Sequence, residues 1–323
     1  MQAVAKDKYR IEAIDLMRGL ALAAMVVFHF AWDLEFFGYA PVGMTRETGW
    51  VLFARSIASS FLFLVGVSLY LAHAEKVRTR SFVKRLAMVG GAAVAITIVT
   101  WFATPQGFIF FGILHQITLA SVLGLAFLRL PSLVTLAVAV AVIAAPSFLR
   151  HSLFDHPALW WVGLSSTNPP ANDYVPLFPW FGAVLLGIVA ARVGTSSGLF
   201  TRLAAWRPAG WSAPLQFAGR HSLAVYLIHQ PVLIAAIWLF ALVAPPAARQ
   251  MDFGLACQAE CSTVRDEAFC RDYCSCMLDA IEEEGVTETT WQRGDPDFRD
   301  WLERTALECT YEAETASTPE NQP

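Results

Sequence analysis

The sequence predicts an all-α protein. It reads as a polytopic membrane helical bundle of about seven spans, N-terminus in and C-terminus out, followed by a small disulfide-rich helical tail on the extracytoplasmic side. Three observations carry this. The 323 residues are 56% hydrophobic and only 15% charged, with a mean hydropathy of +0.48, whereas soluble domains carry roughly 25% charged residues. The apolar residues fall into seven stretches, each of about the 20 residues that a bilayer core requires. The rest is segregated: residues 252–323 hold 18 of the 27 acids and all six cysteines, while residues 1–251 are net positive. Two domains follow, a membrane domain over 1–249 and an acidic, cysteine-rich tail over 250–323. The bases are dispersed at helix ends, which argues against a nucleic-acid partner.

Residues 1–13 are polar, with Lys6, Lys8 and Arg10. Span 1 covers 14–37 and is read as uncleaved, because it is long, charged and not followed by an A-x-A-type site. A loop with Pro41, Gly43 and Gly49 leads to span 2 at about 50–73, which contains Arg55. The basic run 74–85 precedes span 3 at about 86–103. The tight connection TPQG opens into span 4 at about 108–129, with His115 and Gln116. Arg129 and Pro131 mark the turn into span 5, about 132–149. A longer loop, 150–175, is rich in His, Asp, Asn and Pro; His151 and His156 are expected to be solvated there. Span 6, about 176–193, begins PLFPWFG. Residues 194–221 carry Arg202, Arg207 and Arg220, and span 7, about 222–244, ends at Pro245-Pro246. Lys and Arg concentrate in the N-terminus, 74–85, Arg129 and 192–220, which fall on one side if there are seven spans. That side is cytoplasmic by the positive-inside rule. The tryptophans at 101, 160, 161, 180 and 238 suit interfacial belts.

In the tail, Cys257 and Cys261 are spaced x3, as are Cys270 and Cys274, with Cys276 and Cys309 beyond them. A CxxxC pair puts both sulfurs on one helix face. Two such helices can face each other and share two bridges, leaving the last two cysteines for a third. Six cysteines allow 15 pairings, so connectivity stays open. A zinc site is the rival; the tail has no histidine, and an odd span number places the cysteines in an oxidising compartment. The last dozen residues have the composition of a disordered end.

The strongest site signal is in span 1. At about 100° per residue, Arg18, His29 and Asp33 lie about 60°, 40° and 0° from Asp15. These four ionisable residues share one face of an otherwise apolar helix. Each costs roughly 2.5–3.5 kcal/mol near the bilayer centre, so the face must look into protein or a wet cavity. His29 and Asp33 are i, i+4, a spacing that lets a carboxylate orient an imidazole as a general base or a transient acyl acceptor; a structural tie to a neighbouring helix is the alternative. Arg18 with Asp15 reads equally as an interfacial pair. Arg55 could pair with Asp33 or Glu35. His115 reads first as a satisfied core histidine. In span 7, Ser222, Tyr226 and His229 share a face, where His229 could bind an anion with Arg220 or Arg18, or hold helices together. By depth, Arg18, Arg220 and His229 lie toward the cytoplasm, and His29, Asp33, Arg55 and His115 toward the outside. A basic inner mouth with an acid–base pair further in suits a phosphate-bearing donor from inside and an acceptor from outside. No metal-ligand spacing, phosphate loop or Ser-His-Asp order occurs.

The segment RIEAIDLMRGLALAAMVVFH resembles the first span of the transmembrane acyltransferase superfamily, with Arg18 and His29 in its R-x10-H arrangement. FLFLVGVSL (61–69), FFGILHQITLA (110–120), PLFPWFG (176–182) and GRHSLAVYLIHQPVL (219–233) are similar to blocks of the heparan-α-glucosaminide N-acetyltransferase catalytic-domain family, in that family's order. The resemblance covers about 10–245 and stops before the tail. It implies acetyl transfer from cytoplasmic acetyl-CoA, as co-substrate, to a sugar amine or hydroxyl across the membrane. In the lysosomal enzyme the catalytic histidine lies in the loop after span 1. The loop 38–49 has none here, and His29 takes the role. Asp33 would orient it, while Asp15, Arg18, Arg55, His115, Gln116, Arg220, Tyr226 and His229 would hold donor or acceptor. The expectation is a bacterial inner-membrane acyltransferase without a resident cofactor or metal, acting on an extracytoplasmic saccharide. A homo-oligomer or an envelope protein could dock through the tail. The rival is a non-enzymatic transporter or envelope-assembly partner working through that tail.

Overall fold

The computed structural model describes residues 11–41, 43–167, 169–246, 250–262, 264–285 and 296–316. No strand occurs among them. The basic N-terminal residues Lys6, Lys8 and Arg10 lie outside the described residues. The helices are α1 (Glu12–Phe36), α2 (Thr48–His73), α3 (Thr79–Ala103), α4 (Ile113–Phe127), α5 (Ser132–Phe148), α6 (Leu177–Ser196), α7 (Leu199–Ala205), α8 (Ala213–Arg220), α9 (Ser222–Val243), α10 (Gln250–Cys261), α11 (Glu267–Glu283) and α12 (Pro296–Ala316). Five of them, α1, α2, α3, α6 and α9, are long and apolar enough to cross a membrane. The other two apolar helices, α4 and α5, have 15 and 17 residues. At 1.5 Å per residue they reach only about 22–26 Å, short of the roughly 30 Å hydrocarbon core. This is an integral membrane protein of seven apolar helices among the described residues, five of them of spanning length.

Two boundaries differ from the sequence reading. Helix α3 starts at Thr79 and so carries Lys84 and Arg85, which the composition assigns to a loop. The stretch 194–221 is not an open loop, since it holds α7 and α8.

The chain divides into two compact units, one of Met1–Asp33 with Thr45–Ile237 and one of Leu34–Met44 with Trp238–Pro323. The division drawn from composition falls instead at 249/250. The first unit is built on small residues. A Cβ on Gly66 of α2 would strike the Val184 carbonyl of α6, and one on Gly187 would strike the Phe63 carbonyl of α2. The two backbones therefore touch at glycine, the device that lets helices pack without a hydrophobic drive in lipid. Leu62, Ala120, Ala139, Val184, Leu185 and Ile188 are fully buried around that contact. A second close crossing joins α1 and α8, where Gly19 meets the Leu215 carbonyl and Gly219 meets the Asp15 carbonyl.

The loop between α5 and α6 folds on itself. Asp155 accepts from Ser165 Oγ (2.6 Å) and from Ser166 N (2.8 Å) and Oγ (2.5 Å). The Ser165 hydroxyl first, then Ser166, hold the Asp155 carboxyl down at about 2. Tyr174 donates to the Trp160 carbonyl (2.6 Å), and burial pushes its phenol up to about 12. Asn172 N and Val175 N donate to the Gly107 and Phe111 carbonyls at 2.9 and 3.0 Å. These bonds pin 172–175 beside the start of α4.

In the second unit, Tyr39 donates to the Ala244 carbonyl (2.5 Å). Disulfides join Cys257 to Cys274, Cys261 to Cys270 and Cys276 to Cys309, so all six cysteines are paired. Two bridges staple α10 to α11 and the third fastens α12. Asp266 caps α11 by accepting from Phe269 N at 3.0 Å, which lowers its carboxyl. Phe269, Cys270, Cys274, Met277, Cys309 and Ala313 form a small buried core. The expected disordered end starts later than composition suggests, because α12 runs through Ala316; residues 317–323 lie outside the described residues.

Gly187→Val should destabilise the first unit by about 1–3 kcal/mol or more, because the α2 backbone cannot yield as a side chain would. At Gly91 nothing lies within 4 Å of the point a Cβ would occupy, so Gly91→Val should leave thermal unfolding in detergent nearly unchanged.

Candidate functional site

The α1 stripe is where the site begins. Asp15 is 3% exposed and meets Arg18 at 3.4 Å and Arg220 at 3.8 Å. The glycine crossing of α1 and α8 is what brings Arg220 to it. Arg18 also donates to Ser68 Oγ of α2. The sequence supplies Asp15, Arg18 and Arg220; the structure joins them into one cluster.

This cluster borders a cavity of about 490 Å³. Arg18, Arg85, Arg220, His221, Ser222 and Tyr226 line it with polar groups, and Phe61, Leu64, Val65, Met88, Val89, Ile113, Leu114, Ile117 and Leu223 supply apolar wall. Three guanidiniums thus share one chamber with a mostly hydrocarbon lining. The size and the few convergent polar groups are those of a small-molecule site. Guanidinium is the side chain best suited to phosphate.

Further along α1, the His29 ring lies edge-on to the His229 ring of α9, with centroids 4.9 Å apart. Asp33 is fully buried and its Oδ1 accepts from Gln230 Nε2 at 2.7 Å. The carboxylate thus holds the α9 amide rather than the imidazole one turn away. His229 Nδ1 donates to the Tyr226 carbonyl at 2.6 Å, which commits Nδ1 and leaves Nε2 as the nitrogen that gains or loses a proton. Among the described residues, His229 Nε2, Asp33 Oδ2, Gln230 Oε1 and both amide atoms of Gln116 are buried without a partner. A buried polar atom left unpaired costs about 1–3 kcal/mol, so the three at the α1–α9 contact, His229 Nε2, Asp33 Oδ2 and Gln230 Oε1, need a reason beyond packing.

The remaining sequence candidates fall elsewhere. Arg55 is exposed on α2, and Glu35 accepts from Gly43 N at 2.7 Å. His115 is satisfied on both nitrogens: Gly112 N donates to Nδ1 (3.2 Å), and Nε2 bonds Thr97 Oγ1 (3.1 Å), which itself donates to the Ile109 carbonyl. It caps α4 and ties it to α3.

A family model described as heparan-alpha-glucosaminide N-acetyltransferase, catalytic, matches residues 10–231, which is most of the chain. The chain belongs to this family. Neither the curated proteins nor the solved structures give a match. Membership in the heparan-alpha-glucosaminide N-acetyltransferase family implies membrane acetyltransferase activity in general. The match spans α1 to the middle of α9, so the clusters just described lie inside it and the cysteine-bearing helices outside.

Two residues of this part of the structure escape a reading of the sequence. Arg85 falls in a basic run, where charge orients a membrane protein and says nothing of a site. Asp173 sits in a polar loop without a motif. In the structure its Oδ2 accepts from Ile113 N at 3.0 Å, at the start of α4, where the helix dipole favours an acid. The Tyr226 hydroxyl also bonds it, while burial raises its carboxyl above the ordinary range against both bonds. The only local signal is an acid sixty residues from the helix it caps.

The sign of a pH effect follows. Below the ordinary carboxyl value Asp173 is neutral folded or unfolded; above it the unfolded chain ionises, while burial holds the proton on the folded carboxyl. As pH rises from about 4, wild-type thermal stability should therefore fall relative to Asp173→Asn. A wild type that gains on the variant over that range would show that the two hydrogen bonds outweigh burial.

Proposed function

We propose that the protein transfers an acetyl group from cytoplasmic acetyl-CoA to a hydroxyl or amine of an extracytoplasmic saccharide. The observation that carries this is the cavity, about 490 Å³, with Arg18, Arg85 and Arg220 on a largely apolar wall. The arginines suit the phosphates of the donor. The hydrocarbon lining suits its thin acyl-bearing arm, and Tyr226 stands where that arm would run. The basic loops support an inward N-terminus and seven spans; on that reading the cysteine tail lies outside, where disulfides form. Polar interaction through that acidic tail is then the natural way to meet an envelope partner.

In the reaction, His29 takes the proton from the acceptor as its oxygen or nitrogen attacks the thioester carbonyl. The new C–O or C–N bond forms, the C–S bond breaks, and CoA leaves. Asp33 and Gln230 hold the α1–α9 contact that sets the imidazole. A route through acetyl-His29 uses the same groups in two steps.

Acetyl-CoA should raise the unfolding temperature of the purified protein, as any ligand of the folded state does. His29→Ala should lower acetyl transfer to a panel of amino and neutral sugars by about 10²–10⁴-fold. Arg220→Ala should weaken acetyl-CoA stabilisation first. Absence of both stabilisation and CoA release from wild type would overturn the reading in favour of a transport role.

A further inference from the structure

Resting on the acyl-transfer reading, we propose that His229 is a second catalytic residue, which protonates the departing CoA sulfur while His29 takes the acceptor's proton. The sequence offers His229 only as an anion contact or a helix tie. Its geometry is that of an acid–base group. Nδ1 is committed to the Tyr226 carbonyl at 2.6 Å. Nε2 is buried and has no partner among the described residues. The ring sits edge-on to His29 at 4.9 Å, and Tyr226, one turn earlier on α9, is part of the cavity wall. The imidazole thus follows the wall of the chamber assigned to the donor by one turn of α9 and touches the imidazole assigned to the acceptor.

Acyl transfer needs such a group. A thiol ionises near 8.5 in water, and a low-dielectric bundle raises that value by penalising the thiolate. A leaving sulfur in this setting has to be met by a proton. His229 begins protonated on Nε2 and ends neutral. His29 begins neutral and ends protonated. The proton then passes from His29 to the adjoining His229, and both return to their starting states. One C–O or C–N bond has formed and one C–S bond has broken. The acceptor's proton has ended on the CoA thiol, and no further reactant is consumed.

The test separates a leaving-group acid from a structural residue. His229→Asn keeps an amide donor for the Tyr226 carbonyl and lacks Nε2; His229→Gln is the second variant. Purified full-length proteins are assayed with acetyl-CoA and with S-(4-nitrophenyl) thioacetate, whose thiolate leaves without a proton. Thermal unfolding is recorded for each. Expected is a loss of about 100-fold or more with acetyl-CoA, a near wild-type rate with the nitrophenyl thioester, and loss with both donors for His29→Gln. Equal loss with both donors in the His229 variants, loss with neither, or rescue of His29→Gln instead would overturn the assignment. Failure of both His229 variants to show a thermal transition would also overturn it and assign His229 to folding. A wild type that releases no CoA from acetyl-CoA would overturn the acyl-transfer reading itself, a result distinct from all of these.

Discussion

A carboxylate buried among apolar helices has to be neutralised where it stands, and Asp15 is. It is 3% exposed and shared by Arg18 and Arg220. That sharing depends on the backbone contact of Gly19 and Gly219 with the facing helices; a side chain at either position would push α8 off α1 and remove Arg220. The rest of the site depends on it. With Arg220 placed, α9 starts beside it, and Ser222, Tyr226, His229 and Gln230 follow down the α1 stripe. One acid serves two bases, and Arg85 adds a third, so the bases outnumber the acid around the chamber.

The polar face of α1 runs against the end of α8 and then against α9. Arg220 meets Asp15, His229 meets His29, and Gln230 meets Asp33. Each pair joins groups that hydrocarbon would penalise separately. Helices with such faces bury them against each other. Three atoms at the His229–Asp33–Gln230 end stay unpaired among the described residues.

Much of this is legible in the sequence. The α1 stripe follows from helical periodicity alone, since Asp15, Arg18, His29 and Asp33 share a face whatever packs on it. The pairing of α10 with α11 by two bridges follows from two x3 spacings, although which cysteine meets which does not. Other features cannot be read. Periodicity says which residues of one helix face together, and nothing about which residue of another helix arrives. So spacing matches Asp33 with its neighbour His29, while its bond comes from Gln230, nearly two hundred residues on. Arg85 passes for a topology charge because the helix start at Thr79 has no capping side chain to announce it. Asp173 acts through a contact that loop folding creates. The expectation of His115 as a satisfied core group holds, since a glycine three residues before it leaves a backbone donor for it to accept.

The third disulfide has a consequence for the integrity of the chain. Cys276 and Cys309 lie 33 residues apart and are covalently joined. A peptide bond hydrolysed anywhere between them would leave the downstream piece tethered through sulfur. The nick would be silent on a non-reducing gel and would separate two fragments only after thiol treatment. A chain closed by such a bond can be cut without being shed.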